Sequence, residues 1–358
     1  MERFGLVGLP NAGKTSLFNA LTGDAAPVAA HPYSTTETNV GVAVVPDDRL
    51  DRLAVMSESR KVVHATAEFV DIAGLQKGSS HGEGLGNRFL AGIREVDAIC
   101  FVLRAFVDEN VPGGSDPLDD LATLELELVL ADAASLAQQV DKRRKAARAD
   151  KTLTTEIEAL ERALGVLNDA TPLYRAGLEA EVVALLRPYF LLTTKPVLAV
   201  VNLGEADVDR TDELVQPVVD ELGGVAEVLG ICVQLEAEAA RLEGPERAEL
   251  LEGLGLGEGA LPRLIHSAYH LLGLRTFLTT GDKESRAWTV RAGARAPEAA
   301  GRIHSDLQRG FIRAEVIRWH ELLEIGSWQK AKELGKLRVE GKDYEVQDGD
   351  VLEIRFNV

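Results

Sequence analysis

Short, nearly continuous apolar runs alternate along this chain with long stretches of helical spacing. The opening run RFGLVGL, residues 3–9, is almost wholly apolar and ends in glycines, and Leu17, Ala20 and Leu21 then recur at the spacing of a helix face. Strand, loop and helix are predicted in that order. Two more apolar runs, 67–72 and 197–201, lack the alternation of a half-exposed strand and suit parallel strands covered on both faces. An α/β first domain is the expectation. Between these runs the texture changes: residues 118–178 carry almost no strand pattern, and Ile157, Leu160, Leu164 and Leu167 step by three, four and three, the seam of a coiled coil. Pro172 is the only proline between Pro117 and Pro188, so two antiparallel helices turning near Lys142, Arg143, Arg144, Lys145 and Arg148, or shortly after them, form a projecting arm. Strand character returns at Pro196, which makes the arm an insertion. After 276–282 the runs AWTV, KLRVEG, YEVQDGD and VLEIRFNV read as a small strand-rich unit with turn residues between its strands. The predicted layout is 1–120 and 179–276 for the two parts of the α/β domain, 121–178 for the arm and 277–358 for the last domain.

Composition narrows the class. The chain has 358 residues, enough for two or three units, and its only cysteines, Cys100 and Cys232, build neither a disulfide framework nor a cysteine zinc site. The N-terminus lacks a basic region followed by a long apolar stretch, and the most apolar later segment is broken by Arg187, Pro188 and Lys195. A soluble cytoplasmic protein with no membrane partner is expected. A net charge of −18 argues against nucleic acid bound over the whole surface. Yet residues 277–358 hold fourteen basic and fourteen acidic side chains, so the first 276 carry the whole negative charge and the last domain remains able to face an anionic partner.

The chemistry begins at Gly8. Gly8, Leu9, Pro10, Asn11, Ala12, Gly13, Lys14 and Thr15 match GxxxxGK[ST] between a predicted strand and a predicted helix, the context that a phosphate-binding loop needs. Glycines let backbone N–H groups converge on phosphate oxygens, Lys14 adds a point charge near the β and γ phosphates, and Thr15 can ligate Mg2+. Asp71, Ile72, Ala73 and Gly74 form DxxG at the end of the second apolar run, where Asp71 can hold a magnesium-bound water and Gly74 can offer an N–H to the γ-phosphate. Lys14, Asp71 and Gly74 are the predicted catalytic group. Thr35, in the polar stretch 31–39, is the candidate switch threonine that closes on the metal. Leu75 stands where Ras-like enzymes carry a water-orienting glutamine, a role leucine cannot fill; His81 in GSSHGEGLGN is a candidate substitute.

Base selection should lie at 202–205. Guanine-specific enzymes of this class use NKxD, whose Asp accepts two hydrogen bonds from guanine. Here Asn202, Leu203, Gly204 and Glu205 follow the strand 197–201, and Glu205 is one methylene longer than Asp, so its carboxylate should miss the bidentate geometry. Guanine selectivity is expected to be lost. Asn202 is then the candidate to pair with a purine edge and Leu203 to cover the ring, while Val233 and Gln234, after another apolar strand, back the pocket.

Together these residues resemble the Obg-like ATPases, the YchF family of Obg-related P-loop proteins. GLPNAGKTSLFNALTG resembles the family phosphate loop, PYSTTETNVGV its first switch and DIAGLQKGSSHGEGLGNRFLAGIREVDAI its long second switch; NLGE resembles the altered base motif, and 287–317 through 343–358 look like its TGS domain, a β-grasp module. The resemblance implies a G domain of parallel sheet and flanking helices, an inserted antiparallel coiled coil and a C-terminal TGS domain. It implies hydrolysis of ATP in preference to GTP and association with ribosomes, with RNA contact through the coiled coil or TGS domain as a further candidate. It assigns phosphate binding to Asn11, Ala12, Gly13, Lys14, Thr15 and Ser16, Mg2+ to Thr15 and Thr35, and adenine to Asn202 and Leu203. In related potassium-stimulated enzymes the residue at Asn11 helps to hold a monovalent cation, which makes K+ a candidate cofactor. The chain departs from some members in one respect: the loop 110–117, NVPGGSDP, contains no histidine, so a catalytic role for one there does not transfer. Two rival readings stand beside the ATPase: a nucleotide-gated ribosome- or RNA-binding protein whose hydrolysis is incidental, and a GTP-preferring translation-factor GTPase. A small-molecule kinase is disfavoured because no arginine-rich lid is evident.

Overall fold

The computed structural model describes residues 2–23, 39–72, 85–107, 115–148, 150–242 and 244–357. The elements that build the first half run β1 (Arg3–Val7), α1 (Lys14–Thr22), β2 (Asn39–Val44), α2 (Asp48–Met56), β3 (Val62–Val63), β4 (Thr66–Asp71), α3 (Leu85–Arg94), β5 (Ala98–Arg104) and α4 (Pro117–Ala146). There follow α5 (Thr154–Asn168), α6 (Ala180–Leu186), β6 (Val197–Asn202), α7 (Thr211–Leu222), β7 (Val228–Ile231) and α8 (Val233–Ala239). Later strands are β8 (Leu274–Thr279), β9 (Ser285–Arg291), β10 (Phe311–Arg318), β11 (Arg338–Glu340) and β12 (Asp350–Phe356). The chain divides into two compact units, Met1–Val42 with Glu68–Leu264, and Ala43–Ala67 with Ile265–Val358.

The first unit is built on a sheet of order β2-β4-β1-β5-β6-β7, in which β1 pairs in parallel with β4 and β5, β5 with β6, and β6 with β7. Every residue of β5 and β6 is buried, as two-sided coverage demands of continuous apolar strands. On one face Phe89 and Ile93 of α3, Leu121, Leu124 and Leu128 of α4, and Val218 and Leu222 of α7 pack against Val70, Phe101, Leu103 and Val201. β1 has neighbours on both sides, so the loop leaving its C-terminal end opens where ligands collect in sheets of this kind.

α4 starts where Asp116 accepts a hydrogen bond from Leu118 N at 2.9 Å and Pro117 takes the first turn. It ends at Ala146, with Arg143, Arg144 and Lys145 of the basic run in its last turn, and α5 returns beside it as the expected antiparallel arm. The buried stripe differs slightly from the predicted seam: Ala159, Leu160, Ala163 and Leu167 are covered, while Ile157 and Leu164 are half-buried. Small residues let the two helices approach. Asp132, buried on α4, anchors the returning chain by accepting hydrogen bonds from Leu192 N at 2.9 Å and from Thr193 N and Oγ1 at 2.7 Å each.

The second unit is a sheet of order β11-β10-β12-β8-β9-β3. β10 runs antiparallel to β11 and β12, β8 antiparallel to β9, and β12 parallel to β8, with the alanine-rich helix Ala296–Ile303 laid on a core of Phe277, Val290, Phe311, Val316 and Leu352. This is the β-grasp expected at the C-terminus. Residues 43–67, placed by sequence in the first domain, instead fold into this unit: β3 adds to β9 in parallel, and Arg49 of α2 donates to Asp348 at 2.6 Å.

Candidate functional site

The loop between β1 and α1 has the backbone that a phosphate cradle requires. Asn11 and Gly13 have φ of 63° and 94°, both left-handed, and Gly13 stands immediately before the helix. A Cβ on Gly13 would lie 2.3 Å from Asn202 Nδ2, and one on Gly8 would lie 2.5 Å from the Val102 carbonyl oxygen. Only glycine fits at either place.

Lys14 is 7% exposed, and its ammonium donates to the Leu9 carbonyl at 3.0 Å. Burial pulls its pKa below the ordinary 10.5, with the negative charges of Asp71 and Asp120 acting in the opposite direction. At the neighbouring position Thr15 Oγ1 donates to Asp71 Oδ2 at 2.7 Å, joining α1 to the end of β4. Burial raises the Asp71 carboxyl above its usual 3.8, and the Thr15 hydrogen bond and the Lys14 charge oppose that shift. A hydroxyl and a carboxylate meeting beside a lysine are hard oxygen donors, which suit Mg2+.

The loop opens into a cavity of about 850 Å³ lined at one end by Asn11, Gly13, Lys14, Thr15 and Ser16 and at the other by the segments that follow β5, β6 and β7. Ala12 is buried within the loop. At the far end Leu203 is buried in the core of the unit yet reaches the cavity, whereas Glu205 is exposed at the rim. Asn202 donates from Nδ2 to the Ala12 carbonyl at 2.9 Å and accepts at Oδ1 from Val233 N at 3.1 Å. Its amide is engaged at both ends by main chain. The structure thus gives Asn202 a bracing role, tying the phosphate loop to the start of α8, and leaves one Nδ2 hydrogen for the purine edge expected of it.

Several lining residues were not foreseen. Phe106 and Val107 enter from the loop after β5, and Phe106 is fixed from below by Arg104, whose guanidinium lies 4.7 Å from the ring centroid and donates to the Phe106 carbonyl at 3.1 Å. Ala237, Glu238 and Arg241 line the cavity along with Gln234, at helical intervals of three, four and seven. That periodicity was the signal available in the sequence once Val233 and Gln234 had been placed. Thr35, Gly74, Leu75 and His81 lie outside the described residues.

Comparison with known proteins gives this geometry a family. Residues 3–132 match a family model described as 50S ribosome-binding GTPase, and residues 274–357 match the YchF-GTPase_C model, described as a protein of unknown function (DUF933). A protein of Bacillus subtilis (strain 168) described as "Ribosome-binding ATPase YchF" is 46% identical over 361 residues, covering 99% of each chain. The chain belongs to the YchF family. The similarly described YchF of Escherichia coli O157:H7 is 44% identical over 360 residues, again covering 99% of each. A solved structure described as that of the Schizosaccharomyces pombe YchF GTPase superposes with a TM-score of 0.87 at 31% identity, covering 99% of this chain and 97% of that one. The YchF architecture of G domain, inserted coiled coil and C-terminal domain therefore holds from end to end. No helix among the described residues is long and apolar enough to cross a membrane.

Proposed function

We propose that this YchF chain is a magnesium-dependent nucleoside triphosphatase that binds and hydrolyses ATP in preference to GTP, and that it acts as a slow nucleotide switch on the ribosome. The observation that carries the adenine reading is the far end of the cavity. Where a guanine site needs a lysine stem and an aspartate in bidentate reach, this one has the buried Leu203 and the solvent-facing Glu205. Leu203 and Phe106, which line that end of the cavity, would cover a purine ring, and Glu205 at the rim would not reach guanine N1 and N2 in bidentate fashion.

In this reading the main-chain N–H groups of the loop and the Lys14 ammonium hold the phosphates, and Ser16 lines their end of the cavity. Thr15 and Asp71, with Thr35 as the expected third member, would hold magnesium, which would supply charge neutralisation for the phosphates. Asn202 keeps loop and base pocket in register. Asn11, with its left-handed backbone, is the candidate to hold K+, which would show as a higher turnover in potassium than in sodium salts.

The ribosomal part of the proposal rests on relatives described as ribosome-binding ATPases. The arm offers a contact for RNA: Lys142, Lys145 and Arg148 are exposed at its tip, while Arg143 and Arg144 pair with Glu156 and Glu161 at 3.5 and 2.7 Å. Affinity for ribosomes that falls steeply with salt supports a phosphate-dominated contact.

The test is equilibrium binding and hydrolysis of ATP and GTP side by side with magnesium. Tighter ATP binding is expected, and tenfold tighter GTP binding overturns the proposal. Changing Leu203→Lys and Glu205→Asp together should move the preference toward GTP.

A further inference from the structure

We infer that Arg104 and Asp120 are positioning residues of the base site, which hold the Phe106 ring as a preset wall for the purine; this rests on the reading above that a purine occupies that end of the cavity. Arg104 stands where the pattern calls for an apolar residue. Every earlier position of β5 is apolar and buried, and the strand closes on an arginine that is only 4% exposed. An arginine is seldom buried so far, because stripping water from a guanidinium is costly. Its side chain is spent on Phe106: Nε donates to the Phe106 carbonyl at 3.1 Å, and the guanidinium lies 4.7 Å from the ring centroid. The ring lines the cavity, and Arg104 backs it from the protein side.

Main-chain bonds fix the same segment. Arg104 N donates to Asp120 Oδ2 at 3.0 Å, and Ala105 N donates to the Asn202 carbonyl at 2.9 Å. Residues 104–106 are therefore each held by a hydrogen bond, although Phe106 itself is half-buried. Asp120 is 7% exposed in the first turn of α4, so the root of the arm sets where the ring stands. Its negative charge also acts on Lys14, at the phosphate end of the cavity. A ring ordered before the nucleotide arrives loses little rotamer freedom when a purine stacks on it, and that saving appears as affinity. Phe106 touches the purine, while Arg104 and Asp120 act through it.

The experiment compares binding of ATP with that of inorganic tripolyphosphate, which has no base, and measures kcat and KM for ATP, all on the intact chain with magnesium. The variants are Phe106→Ala, Arg104→Met, Arg104→Lys, Asp120→Ala and the double change Phe106→Ala with Arg104→Met. Phe106→Ala should weaken ATP about tenfold and leave tripolyphosphate as it was. Arg104→Met, which keeps the bulk, should weaken ATP about fivefold through KM with kcat within about twofold, and Arg104→Lys, which keeps a cation on the ring, should recover most of that. Asp120→Ala should likewise lower the preference for ATP over tripolyphosphate. In the Phe106→Ala background Arg104→Met should cost ATP little more, because its effect passes through the ring. Equal losses for ATP and tripolyphosphate, or a full additive loss in the double variant, mark Arg104 as a support of the fold and overturn the inference alone. Should Arg104→Met not yield folded protein, Asp120→Ala decides by the same comparison of the two ligands. If Phe106→Ala binds ATP as the wild type does, no purine lies on the ring, and the reading of the base end falls together with the inference.

Discussion

Gly13 and Asn202 form one device. The glycine has no Cβ because the amide nitrogen of Asn202 occupies the space, and the amide holds the loop carbonyl beside it. Gly13→Ala meets both a steric overlap and a left-handed φ, so a loss of about 1–3 kcal/mol in stability and at least tenfold in nucleotide affinity is expected, read by thermal melting and calorimetry. Asn202→Ala leaves a buried carbonyl and a buried N–H unpaired, at about 1–3 kcal/mol. As a brace it should weaken ATP and GTP binding by similar factors, and a loss confined to ATP would instead mark it as a base reader. Asp71 supplies a pH test. Because burial raises its carboxyl above the usual 3.8, it takes up a proton at a higher pH than an ordinary aspartate, so magnesium-dependent affinity for ATP should begin to fall earlier on acidification. Asp71→Asn should bind weakly with a flat profile over the same range. The phosphate loop was legible in sequence because its partners are contiguous. The brace was not, since Asn202 and Ala12 stand 190 positions apart and only the sheet order brings them together.

At the scale of elements, the first strand, the run at 67–72 and that at 197–201 were evident from continuous apolar character, and so was the arm. β5, the strand between β1 and β6, carries AICFVLR, as apolar as any of them, although no strand is predicted there from sequence. The arm's register was also displaced, because a large-residue seam of Ile157, Leu160, Leu164 and Leu167 counts bulk, whereas close helix packing places Ala159 and Ala163 at the contact. Leu160→Ala should therefore destabilise the arm by about 2–5 kcal/mol, visible as faster amide exchange along α4 and α5 while β1 and β5 stay protected. Asp132→Ala has a different signature. It removes the acceptor of three buried donors at residues 192 and 193, so the lost protection should centre on 190–195, where the arm rejoins the sheet.

For the molecule as a whole, the most consequential departure from the sequence layout is that 43–67, early in the chain, fold with the C-terminal sheet. α2 is an amphipathic helix with Leu50, Leu53 and Ala54 on its buried face, and such a pattern does not say which sheet receives that face. Charge decides part of it. Arg49 donates from Nε and Nη2 to the two oxygens of Asp47, each at 2.8 Å, and from Nη1 to Asp348, whose other oxygen accepts from Thr276 N at 2.8 Å. One guanidinium thus ties α2 to the turn before β12 and, through Asp348, to β8. The side chains are a quarter to a third exposed, so solvent weakens the pair below the value of a fully buried one. Arg49→Ala is still expected to lower stability by about 1–3 kcal/mol, because it leaves Asp348 and the nearly buried Asp47 uncompensated. The loss should appear in β3, β8, β9 and β12 by amide exchange. Asp348→Asn should be milder, since an amide oxygen can still accept from Thr276 N. If Arg49→Ala instead exposed β1, β5 and β6 while sparing β8 and β12, α2 would belong energetically to the nucleotide-binding unit, and the division of the chain drawn from its fold would have no counterpart in its stability.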